Sequence, residues 1–237
     1  MLDFTGAWQA LTHHPLFGIG ITLGAYQLAI AAYERTRWVF LQPVLVSMLT
    51  VIAILLLCGV QYAEYKRSIE PLTLLLGPAT VALAVPLYLN LKRIRQLLWP
   101  IVLTLLLGGT LATLMGFGLA WLFGADSVMI KSMAPKSVTS PIAMLVASEI
   151  GGLAALAAVF VMITGVIGAM FGPSLLRLCK VTHPAALGLS LGISAHAVGT
   201  SRALQESEEC GAFAALAMGL MGILTAVIMP LTYLALA

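Results

Sequence analysis

The chain has 237 residues, of which 61% are hydrophobic and only 9% are charged, and its formal net charge is +3. Soluble domains carry roughly 25% charged residues, so this composition excludes a soluble globular protein and predicts an all-α polytopic membrane protein. The few basic residues are spread over short loops, which excludes a nucleic-acid partner. Because a membrane helix takes about 20 apolar residues, we expect about seven to eight membrane segments.

The N-terminal part of the chain, residues 1–70, contains two predicted spans at 16–33 and 39–60 and a charge-balanced polar loop. Its first 15 residues lack a basic start and a small-residue cleavage site, so the first span is expected to act as an uncleaved signal. The three cysteines of the chain are isolated in sequence. They lack the spacing of a metal site or a disulfide framework, and we expect neither metal nor cofactor.

The third segment, residues 71–90, is interrupted by Gly77-Pro78 and by Pro86. Proline removes a backbone donor and clashes with the preceding helical turn, and lipid offers the freed carbonyl no partner. We therefore predict a discontinuous span that neighbouring helices cover or that lines a cavity, with Thr80 as its polar candidate. A basic loop and a long apolar span complete a first broken-helix unit at 71–123.

Residues 133–152 read MAPKSVTSPIAMLVASEIGG and bring a lysine, four hydroxyls and a glutamate into apolar surroundings. Ser140-Pro141 is typical of a helix start, with serine as the N-cap and proline at the first helical position. Such a half-helix, ending at Gly151-Gly152, would present unpaired N–H groups and a partial positive charge at its start. A cation beside that end favours an anion. The predicted substrate-binding residues here are Lys136, Ser137, Thr139 and Ser140.

Both ionisable side chains of this stretch have alternative interpretations. Lys136 could snorkel to an interface while the hydroxyls bond to the backbone. Glu149 could pair with Lys136, carry a coupling proton, or cap the helix near the interface. An ionisable residue inside a membrane is costly enough to favour a functional role for Lys136.

A second glycine-rich segment, residues 184–204, contains further polar residues. Thr200 or Ser201 is predicted to cap another half-helix. His196 could donate to a carboxylate or relay a proton, although a lone histidine is more often a satisfied buried group. Arg202 is either part of the site or a loop residue in a salt bridge with the acidic run that follows.

The order of features repeats along the chain. Residues 75–87 can be placed over 190–202, and each block is followed by a charged loop and a long span. We therefore predict two corresponding units, 71–123 and 184–237, separated by a re-entrant segment and a span at 127–176. Repeated broken segments are the sequence sign of a transporter site.

The loop charges predict an orientation. Basic residues at 35–37, 92–95 and 177–180 are expected on the cytoplasmic side, and the acidic run 205–209 on the outside. These assignments agree only if residues 127–150 enter and leave the membrane on the same side, which makes the repeat an inverted one.

The motifs PKSVTSPIA at 135–143 and GISAHAVGTSRAL at 192–204 resemble the LrgB/CidB family, as do LGPATVALAVPLY at 76–88 and GAFAALAMGLMGILTAVIMPL at 211–231. The resemblance covers nearly the whole chain and implies a single integral membrane domain, 1–237. It implies antiholin-like or holin-like control of murein hydrolase export and autolysis in the bacterial cytoplasmic (inner) membrane, with a smaller LrgA/CidA-type partner. The resemblance also implies links to pyruvate, and to glycolate and glycerate through a plastidic relative.

No nucleophile elbow, P-loop, zinc helix or dinucleotide fingerprint occurs in the sequence, and we predict that the protein is not an enzyme. The broken segments and their polar residues favour a dimeric, proton-coupled transporter of small monocarboxylates such as pyruvate or glycolate. The alternative is a holin-like or antiholin-like oligomer that regulates murein hydrolase export and autolysis, with small-residue helix faces serving assembly.

Overall fold

The computed structural model describes residues 12, 14–36 and 38–236, and nearly all of them lie in helices. Within this part of the chain, five helical stretches are long and apolar enough to cross a membrane: Leu16–Thr36, Glu70–Leu89, Leu98–Leu122, Ala154–Leu178 and Glu208–Ala235. The second of them is a series of short helices. The predicted class, an all-α polytopic membrane protein, is confirmed. The chain folds into two compact units, Met1–Ala82 and Leu83–Ala237; the predicted single functional domain stays a prediction.

The first unit is a small helical cluster around its longest helix. Its described helices are α1 (Pro15–Thr36), α2 (Pro43–Cys58), α3 (Tyr62–Ser68), α4 (Glu70–Leu74) and α5 (Leu76–Ala82). A hydrogen bond of 2.9 Å joins the hydroxyls of Thr22 and Tyr65, and Gly18 leaves room for the side chain of Ser68. These contacts hold α3 against α1.

The second predicted span, 39–60, begins later than expected. Its first residues form a short 3-10 turn, and α2 starts only at Pro43. The reason is the cap: the Gln42 side chain accepts a hydrogen bond from the Leu45 N–H at 2.8 Å, and proline at the first helical position needs no such partner. Gly59, with φ +67°, ends the helix.

The third segment is confirmed as discontinuous. Residues 70–96 form the short helices α4, α5, α6 (Ala84–Leu89) and α7 (Leu91–Gln96) instead of one span. Pro71, Pro78 and Pro86 each lie in the first turn of one of these helices. A missing N–H is tolerated there, so each proline starts a new helix.

The second unit contains the remaining long helices. They are α8 (Leu98–Leu122), α9 (Ser127–Met133), α10 (Ser140–Glu149), α11 (Ala154–Leu178), α12 (Pro184–Glu206) and α13 (Glu208–Leu236). Buried apolar side chains join α8, α12 and α13 into one core, among them Ile101, Leu189, Ile193 and Phe213. Burial of this core positions the two irregular segments described next.

Residues 127–153 double back on themselves and are called hairpin 1. The N–H of Leu153 donates to Ser132 Oγ at 2.8 Å, and a Cβ on Gly152 would lie only 2.8 Å from the Ser132 nitrogen. The chain therefore leaves Ser132, passes through a turn and α10, and returns to the same place. Its tip is the turn at 134–139.

Residues 184–206 form a second doubled-back segment, hairpin 2. It consists of two helical arms that meet at His196, whose φ of 42° and ψ of −128° are far from helical values. A Cβ on Gly199 would overlap the carbonyl oxygen of Leu191, although residues eight apart lie about 12 Å apart along a straight helix. Hairpin 2 therefore has a first arm, 184–195, a tip at His196, and a second arm, 197–206.

The two hairpins open toward opposite ends of α11. The base of hairpin 1 lies at Leu153, directly before α11 begins, whereas the base of hairpin 2 lies at Arg177, which pairs with Glu206. A helix of this length measures about 37 Å. The five candidate spans, the shorter apolar helix α2 and the two hairpins agree in number with the predicted segments. The inverted repeat over 71–123 and 184–237 stays a prediction.

Glycine makes the close packing of hairpin 2 possible. A Cβ on Gly188 or Gly192 would overlap the carbonyl oxygens of Cys210 and Ala214 in α13. On the other side, a Cβ on Gly168 of α11 would lie 2.6 Å from the Cβ of Ala195. Small residues thus let these helices approach closely within the chain.

We expect Gly192→Ala to destabilise the protein by about 1–3 kcal/mol, since the added methyl meets backbone that cannot move aside. Gly219→Ala is the matched control, because a Cβ there meets nothing within 4 Å. That control should be neutral or stabilised by about 0.5–1 kcal/mol. Thermal unfolding in detergent measures both variants, and equal melting temperatures for the two would contradict the packing argument.

Candidate functional site

Lys136 lies at the tip of hairpin 1 and reaches toward the middle of a long helix. Its Nζ donates to the carbonyl oxygen of Ala112 at 3.1 Å, and Ala112 lies near the middle of α8. The lysine stem packs on Gly116, where a Cβ would lie 2.7 Å from Cε. The structure thus places the ammonium at mid-length of a candidate span, which disagrees with the snorkelling alternative.

Three hydroxyls accompany this ammonium. Ser137 is buried, and Thr139 and Ser140 are half-buried at the start of α10. In the described part of the chain, no hydrogen bond joins their side chains to another group. The tip therefore carries one ammonium with a single backbone acceptor and three hydroxyls without a hydrogen-bond partner in the described structure.

The helix start is displaced by one residue from the prediction. Thr139, not Ser140, is the N-cap, because the first helical hydrogen bond runs from the Ala143 N–H to the Thr139 carbonyl at 2.9 Å. Pro141 therefore occupies the second helical position, where its missing N–H costs nothing. Gly151, with φ +80°, follows the helix end as expected.

Glu149 is the last residue of α10 and is exposed at the base of hairpin 1, away from the tip. Among the described residues, no salt bridge joins it to Lys136, whose amine binds a carbonyl instead. Ile150 occupies the C-cap position. The predicted pairing and the capping role are wrong, and the coupling role stays a prediction.

His196 occupies the tip of hairpin 2 and is 2% exposed. Its Nε2 lies 2.9 Å from the carbonyl oxygen of Val161 in α11. The ring rests on Gly165, where a Cβ would lie 2.6 Å from Cε1. A larger residue at this position of α11 would displace the ring.

The predicted half-helix cap in this segment is wrong. Thr200 lies inside the second arm, and its hydroxyl donates back to the His196 carbonyl at 2.9 Å. The break occurs at His196, so residues 200 and 201 already belong to a continuing helix. Ser201 is half-buried in the arm beyond that turn.

Arg202 lies toward the base of hairpin 2 and pairs with Glu206, which also binds Arg177. The salt-bridge interpretation of Arg202 is therefore correct. Glu209 lies 3.6 Å from Arg93. The acidic run thus lies at the same end of the unit as the basic loops, and its predicted place on the opposite side is wrong. The reason is that hairpin 2 returns the chain to the end it left.

Both hairpins contact Val161 of α11. Val138 of hairpin 1 and Val161 belong to one buried apolar cluster, and the Val161 carbonyl binds His196. The structure thus brings the Lys136 turn and His196 to the same helix region, while Glu149 and Arg202 lie near the hairpin bases. The side chain of the remaining candidate, Thr80, lies outside the described structure.

Two polar groups escaped the sequence interpretation. His183 caps α12, with Nδ1 accepting from the Ala185 N–H at 3.2 Å, and its Nε2 lies 3.1 Å from an Arg93 nitrogen. Its position directly before Pro184 was the available signal. Lys131 donates to the Tyr233 hydroxyl at 2.9 Å, a contact between distant segments for which the sequence gives no signal.

Comparison with known proteins identifies relatives over most of the chain. The model of the LrgB-like family matches residues 22–234. An antiholin-like protein LrgB from Bacillus subtilis is 32% identical over 92% of this chain and 95% of its own length. One from Bacillus cereus is 30% identical, with 94% and 97% covered. An uncharacterized protein from Haemophilus influenzae is 34% identical, with 90% and 92% covered. No solved structure matches the chain.

These relatives correct the predicted function. The transporter of small monocarboxylates is wrong as the main interpretation, because the named relatives that match almost end to end are antiholin-like proteins. The resemblance to the LrgB/CidB family is confirmed. The polar tip has the chemistry of an anion site, but site chemistry alone does not fix an activity.

The geometry predicts from which side of the membrane single cysteines react. In a protein whose other cysteines are replaced, exposed Cys179 and Glu208→Cys should react with a membrane-impermeant maleimide from one side. Asp126→Cys, at the other end of α11, should react from the opposite side. Labelling of Glu208→Cys from the Asp126 side would contradict the return of hairpin 2.

Proposed function

We propose that this chain, which belongs to the LrgB-like family, is an antiholin-like membrane protein. In this proposal it regulates murein hydrolase export and autolysis. The observation that carries the proposal is the near full-length match to the antiholin-like protein LrgB of Bacillus subtilis. The five candidate spans agree with a protein that acts inside the membrane. The proposed location is the bacterial cytoplasmic membrane, and the proposed activity is not enzymatic.

The proposed mode of action is assembly within the membrane. In this proposal the protein acts through contacts between its membrane helices and those of a partner. The proposal therefore includes a smaller LrgA/CidA-type membrane protein as partner and a homo-oligomer of this chain. The glycines of hairpin 2 and of the α11 face beneath it are already used for packing inside the chain, so assembly uses other helix faces.

The polar tips are the second part of the proposal. An ammonium that has a single backbone acceptor, together with hydroxyls that have no partner in the described structure, is costly inside a membrane. We propose that a small polar ligand binds there and that the antiholin-like activity depends on this site. The proposed site residues are Lys136, Ser137, Thr139, Ser140, His196 and Thr200. The proposal includes Ser201, Arg202 and Thr80 only as secondary candidates.

Deletion of the gene should raise murein hydrolase activity in the culture supernatant and speed detergent-induced autolysis, and the wild-type protein should restore both. An unchanged or slower lysis in the deletion strain would overturn the antiholin-like direction. The measurement is the turbidity decay together with zymography of the supernatant.

The site is tested in the same strain. Lys136→Met should lose the restoring activity while the protein remains in the membrane at wild-type abundance. Lys131→Met is the matched control, because this lysine lies at the base of hairpin 1 and binds Tyr233; it should restore like the wild type. Equal restoration by both variants would remove the polar tip from the proposal and leave the family assignment intact.

A further inference from the structure

The protonation pattern of His196 follows from its partner. Nε2 lies 2.9 Å from the Val161 carbonyl oxygen, and a carbonyl only accepts hydrogen bonds, so Nε2 carries the hydrogen. The ring is 2% exposed at the centre of a membrane unit, where a charged ring is costly. The neutral ring that remains presents Nδ1 as a hydrogen-bond acceptor.

This acceptor is buried and has no hydrogen-bond partner in the described structure. A buried polar atom without a partner costs about 1–3 kcal/mol. The Thr200 hydroxyl, one turn along the second arm, donates to the His196 carbonyl instead. Nδ1 therefore requires a donor that the described part of the chain does not supply.

The surroundings fix the ring in this position. His196 has φ 42°, and a non-glycine residue in such a conformation costs of order 1–3 kcal/mol. Gly165 leaves no space for the ring to move toward α11. Directly after His196 the second arm, 197–206, begins, and the first N–H groups of a helix lack partners within it.

We infer that the tip of hairpin 2 binds an O–H group, which donates to His196 Nδ1 and accepts from the N–H groups at the start of the second arm. Water and the hydroxyl of a small solute share this chemistry. A carboxylate offers only acceptors and does not match Nδ1. The inference rests on the proposed ligand site and specifies its chemistry at His196, and its spectroscopic test is separate from the lysis assays.

Solid-state NMR of the full-length protein in lipid bilayers, labelled with 15N-histidine, tests the site. His196→Gln identifies the His196 resonances among those of the four histidines. Should that variant fail to fold, Gly165→Ala provides a second assignment, because its Cβ would press on the ring and shift the His196 signals selectively.

The expected result is a His196 ring protonated at Nε2 alone, with the Nδ1 resonance shifted by an accepted hydrogen bond. Magnetisation transfer from water to Nδ1 identifies water as the donor. A hydrogen-bonded Nδ1 without that transfer, which loses its shift after exhaustive exchange into solute-free lipid, identifies a solute hydroxyl. An Nδ1 resonance typical of a free acceptor, or a doubly protonated ring, would overturn the inference.

Discussion

The fold of the second unit depends on direct contact between the backbones of hairpin 2 and α13. Gly188 and Gly192 have no side chains to hold the two apart, and any Cβ there would overlap carbonyl oxygens of α13. Inside a membrane this contact shields the irregular backbone of hairpin 2 from lipid, which offers backbone groups no hydrogen-bond partner. The turn at His196 is possible only because α11 and α13 cover it from two sides.

The same constraint explains why the polar groups are distributed as they are. The charged residues of hairpin 2 lie at its base, where Glu206 binds exposed Arg177 and largely buried Arg202. The tips carry two ionisable groups, and each is held by one backbone carbonyl: Ala112 for Lys136 and Val161 for His196. Backbone carbonyls of the long helices thus position both tip side chains.

The sequence predicted the fold class, the broken third segment and, to within one residue, the start of α10. These features could be predicted because the effects of proline and of hydrophobic run length are local. The sequence also predicted the break within residues 184–204 but placed it at Thr200 or Ser201, because the turn residue is His196 and not a glycine or proline, so no local signal marks a positive φ. That failure placed the acidic run on the wrong side and Thr200 at a helix start. The Val161 carbonyl could not be predicted at all, since a backbone acceptor leaves no trace in the residue type.

The two tips differ in hydrogen-bonding character, and this difference bears on what they can hold. Hairpin 1 presents donors: the Lys136 ammonium, three hydroxyls and the start of α10. Hairpin 2 presents an acceptor at His196 Nδ1. A bare anion would satisfy only the first set. A group that both accepts and donates satisfies both, and the apolar cluster that contains Val138 and Val161 keeps the two sets on one side of α11. A polar centre of this kind is compatible with the proposed ligand site in a member of the LrgB-like family and requires no path across the membrane.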